Sequence, residues 1–191
     1  MISLLDVEAT TTDELEKLQG IVDTILRHRR KNEPMTYDRF ISYKIDASSQ
    51  KFSRYFEREW KTFMGFKTYG GSIYGTYDAE DKNGRTQESK YATYNEQRGA
   101  SFPQIMQLDV VPDEYFITIF YGHDIEIYRV PGKDMHSSVI KKSATHAHAN
   151  NPNQLRINIK LNSPEMNFLK LHRDISLEDK FKKHIFGAPI E

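Results

Sequence analysis

The stretch GSIYGTYDAEDKNGRTQESKYATYN, Gly71 to Asn95, holds two strand-like runs on either side of Asn83-Gly84, a strong short-range signal for a hairpin. Its second run contains Glu88-Ser89-Lys90, and Glu88 and Lys90 share a face because strand side chains alternate with period two. The position of Asp78 depends on the turn. If Lys82-Asn83-Gly84 forms the loop with Gly84 left-handed, Asp81 faces Arg85 and Asp78 stands directly opposite Glu88. If Asn83-Gly84 alone forms it, Asp78 faces Ser89 and the two carboxylates fall on opposite faces.

Two opposed carboxylates repel, and a sheet normally avoids the pairing. A divalent cation reverses that sign. Oxygens from Asp78, Glu88 and the Ser89 backbone carbonyl suit Mg²⁺, and Lys90 is placed to orient or help deprotonate a water and to offset charge developing on phosphorus. The bland alternative is a solvated hairpin, since DAEDKNGRTQESK is very polar. Acid-x-Lys also occurs at Glu59, Glu80 and Glu178, but only Glu88 lies on an expected strand beside another carboxylate.

Upstream, Thr11 and Glu14 form a capping box for a helix with Leu15, Leu18, Ile21, Val22, Ile25 and Leu26 on one face, ending before Pro34. Residues 1–47 read as an N-terminal helical segment, and residues 48–191 as an α/β core. Ser48 to Phe66 places Phe52, Tyr55, Phe56, Trp60, Phe63 and Met64 at helical spacing, which reads as a core-facing stripe. Downstream, RGASFPQIMQLDVVPDE is expected as a short turn or helix. YFITIFY and DIEIYRV read as a strand pair across Gly122-His123. VPGKDMHSSVIKKSATHAHANNPN reads as a polar connection, QLRINIKL as a strand, and SLEDKFKKHIF as a late helix capped by Ser176. This order predicts an α/β fold with a mixed, largely antiparallel sheet flanked by helices.

The 191 residues are 38% hydrophobic, enough for a sizeable core, and 27 Lys plus Arg balance 27 Asp plus Glu. Any basic surface must therefore be local. The chain has no cysteine, which excludes disulfides, thiolate metal sites and a thiol nucleophile. The start MISLLDVEATTTDEL lacks the pattern of a secretory signal, and no run approaches the roughly 20 apolar residues of a membrane span, so a cytoplasmic protein is expected.

Asp78, then Glu88-x-Lys90, then YATYNEQRGASFPQ and the strand pair, resemble the PD-(D/E)xK nuclease superfamily of type II restriction endonucleases over roughly Ser48 to Lys160. Tyr77 stands where that motif has Pro, and polar RTQ precedes Glu88 where an apolar strand is usual. The resemblance implies a restriction-endonuclease-like fold and hydrolysis of double-stranded DNA. Asp78 and Glu88 would be Mg²⁺ ligands, Lys90 the catalytic lysine, and Glu57 or Glu59 a supporting acid, with Glu57 preferred. It also implies a homodimer, since cutting a symmetric site favours a two-fold pair. The N-terminal helix is then the candidate dimer interface or DNA clamp.

Weaker DNA-contact candidates are Asn95, Arg98, Lys141, His146 and His148, with Arg54, Arg58, Lys61, Lys67 and Lys142 as further cations. His146 and His148 lack a nearby third zinc ligand, and His146, Asn167 and His172 make a poor HNH motif because the Asn-to-His interval is short. Asp6 and Glu8 imitate a DEDD exonuclease motif, but an amphipathic helix follows them instead of an apolar strand. No phosphate-binding glycine loop or Gly-x-Ser-x-Gly elbow is present. The composition equally accommodates a noncatalytic interaction protein, such as a viral or phage assembly component or a host-factor inhibitor.

Overall fold

The computed structural model describes residues 40, 49–66, 77–122, 124–148 and 151–186. The chain divides into two compact units, Met1–Met35 and Thr36–Glu191, and all described residues belong to the second. The expected N-terminal helix, Lys67, Asp6 and Glu8 lie outside them.

A helix, α1 (Ser49–Met64), is followed by β1 (Ala79–Glu80), β2 (Thr86–Asn95), β3 (Gly99–Gln107), β4 (Glu114–Tyr121) and β5 (Asp124–Pro131). Two short helices, α2 (Gly132–Ser137) and α3 (Val139–Ser143), precede β6 (Thr145–His148) and β7 (Asn151–Ile159), and α4 (Pro164–Lys170) and α5 (Ile175–Phe186) complete the order. The seven strands form one sheet in the order β5-β4-β2-β3-β7-β6, with β1 on β2. Every pairing is antiparallel except β2 with β4. The expected α/β class, a mixed and largely antiparallel sheet with flanking helices, is what the chain adopts.

β4 explains why its sequence is so apolar. Glu114 to Phe120 are all buried, because both faces of the strand are covered. Phe116 and Phe120 meet the α1 stripe, with Trp60 5.1 Å from Phe116 and Phe56 5.4 Å from Phe120. Tyr115, Ile117 and Ile119 enter the opposite core with Met135, Ile140, Met166 and Leu169 of α2, α3 and α4. Helix α1 stops at Gly65, whose φ of 64° is the left-handed end that glycine permits at least cost. Among the described residues no helix is long and apolar enough to cross a membrane.

Three sequence expectations need correction. RGASFPQIMQ is strand β3, not a turn or helix: Gly99 at φ 80° reverses the chain, and Pro103 is tolerated where the pairing with β7 shifts register. The polar connection contains α2, α3 and β6, whose buried Met135 and Ile140 are too sparse to leave a periodic signal. Asp174, rather than Ser176, caps α5, its carboxylate accepting from the Leu177 N–H at 2.9 Å.

Candidate functional site

The hairpin takes the first of the two registers. Asp81 N–H donates to the Arg85 carbonyl at 3.0 Å, Gly84 N–H donates to the Asp81 carbonyl at 3.1 Å, and Gly84 has φ 81°. The Asp81 carboxylate accepts from the Asn83 and Arg85 amides at 2.8 and 2.9 Å, which holds the three-residue loop. Ala79 then pairs with Gln87 and Glu80 with Thr86, so the next position outward sets Asp78 against Glu88.

The backbone orients both acids. Asp78 N–H donates to Glu88 Oε2 at 3.3 Å, and Ser89 N–H donates to Asp78 Oδ2 at 2.9 Å. Lys90 Nζ bonds Glu88 Oε1 and lies 3.8 Å from Asp78 Oδ2. One ammonium thus offsets the repulsion between two facing carboxylates. The polar RTQ run is accommodated by partners at the start of β4. Arg85 meets the buried Glu114 at 2.8 Å, and Thr86 N–H donates to Asp113 at 2.7 Å.

Burial pushes the Glu88 carboxyl above its ordinary value, Lys90 partly opposes this, and the Asp78 charge adds to it. Burial alone would pull the Lys90 ammonium down, but the Asp78 and Glu88 charges, the Glu88 hydrogen bond and Glu57 hold it above 10.5. Lys90 therefore keeps its proton at neutral pH. That favours orientation and charge compensation over the base role also considered from sequence.

Glu88 gives a pH prediction. In EDTA, its folded value lies above its unfolded one, so its stabilising contribution is complete below the ordinary 4.5 and is lost as pH rises through the raised value. Urea denaturation across this window should show wild type losing stability with rising pH relative to Glu88→Gln. Parallel curves would mean that Glu88 is not desolvated in the folded chain.

β2 and β3 pair only at Tyr94 with Ala100 and Asn95 with Gly99, then splay. A cleft of about 400 Å³ opens between them, lined by Glu57, Asp78, Lys90 and Gln104 among others. A second recess, about 240 Å³, has Asp78, Glu88 and Lys90 on one side and Gln104, Gln107 and Gln154 on the other. Glu57 bonds Lys61 at 2.6 Å on the wall of the first cleft, whereas Glu59 points to Arg58 and His184. Of the two helix acids, Glu57 is the one that lines the cleft with Asp78 and Lys90.

The remaining candidates are elsewhere. Asn95 Oδ1 accepts from the Gln97 and Arg98 amides in the β2–β3 turn, and Arg98 and Lys141 are exposed away from both recesses. Exposed His146 bonds the Pro152 carbonyl at 2.7 Å, while His148 belongs to β6. His172 packs on Phe168 at 4.9 Å, and Asn167 is exposed on α4. Among the described residues no group of three or more His, Asp or Glu side chains is arranged to hold a metal. Glu178, from another acid-x-Lys triplet, is buried against Arg173 and the Ile127 N–H.

Sequence reasoning missed the glutamine wall. Its only trace is the spacing PQIMQ followed by NPNQ, which acquires meaning once β3 lies beside β7. No protein-family model matches the chain, and no curated protein is significantly similar to it in sequence.

Proposed function

We propose that the chain is a Mg²⁺-dependent endonuclease hydrolysing phosphodiester bonds of double-stranded DNA, as the PD-(D/E)xK resemblance implies, and that it works as a homodimer. The observation that carries this reading is the register that faces Asp78 with Glu88 and sets Lys90 between them, at the edge of an open cleft.

The donor set fits the ion. Mg²⁺ is usually held by one or two carboxylates while retaining waters and taking phosphate oxygens. Asp78 and Glu88 would hold it, with the Ser89 carbonyl. The N–H and C=O of one strand residue point to the same edge, and the Ser89 N–H already points to Asp78. When bound, the ion supplies Lewis acidity and a more acidic water. Lys90 keeps its proton, orients the attacking water and offsets the charge developing on the phosphoryl oxygens. The backbone amides of Asp78 and Ser89 fix the two carboxylates in advance, and Glu57 adds a supporting acid across the cleft.

Removing the metal tests this. Supercoiled plasmids should be nicked or linearised with Mg²⁺ and left intact with EDTA. Mg²⁺ should also raise the melting temperature, because it binds the native site, and Asp78→Asn should abolish that rise. Cleavage that persists in EDTA would overturn the metal assignment. Intact DNA together with an unmoved melting point would favour the noncatalytic interaction protein.

A further inference from the structure

The β3 strand carries a distortion beside the acidic cluster. Phe102 pairs with Ile157 and Met106 with Leu155, so Pro103, Gln104 and Ile105 stand against the single residue Arg156. Ile105 is fully buried and anchors this bulge in the core, while Gln104 remains exposed. Bulges re-aim side chains and end pairing next to functional sites. Pairing with β2 has already ended at Ala100, so this part of β3 has no β2 partner, and Gln104 lines both recesses, as Asp78 and Lys90 do.

Gln104 is also held in place. Its Nε2 donates to Gln154 Oε1 on β7 at 3.1 Å. That bond uses one of the four hydrogen-bonding positions of each amide. Gln107 adds a third amide, and Tyr77 and Met106 supply flat or apolar surface in the same recess of about 240 Å³. Lys90 is the one cation among its described lining residues, and it is engaged by Glu88 and Asp78. A wall of neutral amides opposite a phosphate-processing cluster suits a base edge better than a second phosphate.

We infer that Gln104, aimed by the β3 bulge and steadied by Gln154, reads the edge of the nucleobase beside the cleaved phosphate, with a preference for adenine. Adenine follows from chemistry, because a glutamine amide matches its N6–H donor and N7 acceptor in a bidentate pair. The inference rests on the nuclease reading and adds a determinant of specificity to it.

The test sequences the ends cut from a randomised duplex library by wild type, Gln104→Ala and Gln154→Ala. Wild-type ends should be enriched in adenine beside the cut, and Gln104→Ala should flatten that enrichment about tenfold. Gln154→Ala, which removes the steadying partner and one amide of the same recess but leaves Gln104 itself, should flatten it less. Unchanged base frequencies in Gln104→Ala, or no adenine enrichment in wild type, would overturn the inference. If wild type cuts nothing, the nuclease reading fails by itself, and duplexes captured from the same library decide the base-reading claim. Adenine enrichment lost in Gln104→Ala would uphold it, and its absence in wild type would end it. Circular dichroism melts confirm that each variant is folded.

Discussion

Replacing Lys90 by Met is expected to lower Mg²⁺-dependent cleavage by about 10²- to 10³-fold, the range for removing one donor aimed at transition-state charge. Met keeps an unbranched stem and deletes only the ammonium, so the loss reports on charge rather than on packing. The same change leaves Asp78 and Glu88 facing each other without their shared cation. Like charges directly opposed destabilise a strand pair, so the variant should melt lower than wild type in EDTA. Mg²⁺ should recover more of that loss than it adds to wild type, since the ion takes over the neutralising role. Lys90→Arg, which keeps the charge but not the compact head, should retain an intermediate rate. Cleavage by Lys90→Met at the wild-type rate would remove Lys90 from the chemistry. A melting temperature insensitive to the substitution would mean that the two acids do not repel in the folded chain.

The parts of the fold that were legible in the sequence rest on local chemistry. Asn83-Gly84 and Asp81 define a loop from a few adjacent residues, and the sequence reduced the site geometry to two registers separated by one residue. The α1 stripe was legible because it repeats the helical period, and the β4–β5 pair because the unbroken apolar run YFITIFY and the β-rich DIEIYRV flank a Gly-containing turn. β3 was not, because Gly99 and Pro103 resemble loop residues and only pairing with β7 makes them strand. Choosing Asp174 over Ser176 required knowing where α5 begins, and helix boundaries are the least local part of such a pattern. The glutamine wall was beyond sequence reading for a different reason. Uncharged amides give no charge pattern, and Gln104 and Gln154 are 50 residues apart until the bulge brings them into contact.

Trp60→Ala is expected to cost about 3–5 kcal/mol, the range for truncating a fully buried large aromatic side chain. Trp60 is 0% exposed and touches rings from three elements: Phe63 of α1 at 5.9 Å, Phe116 of β4 at 5.1 Å and Phe181 of α5 at 4.9 Å. These neighbours are fixed by the sheet and by two helices, so the space left by the indole cannot collapse cheaply. Trp60→Phe should behave differently. The indole N–H is buried without a hydrogen-bond partner, a defect worth about 1–3 kcal/mol, and phenylalanine removes it while keeping most of the ring packing. The two contributions oppose each other, so Trp60→Phe should stay within about 1.5 kcal/mol of wild type. Urea midpoints at constant m-value read both variants directly. Equal losses in the two would show that the unsatisfied donor costs nothing and that the indole shape alone matters. The consequence reaches the cleft, because Glu57 lies one turn before Trp60 on the same helix and lines the recess with Asp78 and Lys90. An α1 that has lost its Trp60 anchor on Phe116 holds Glu57 less firmly, though Phe56 stays on Phe120, so Trp60→Ala should weaken cleavage below its unfolding midpoint while Trp60→Phe does not.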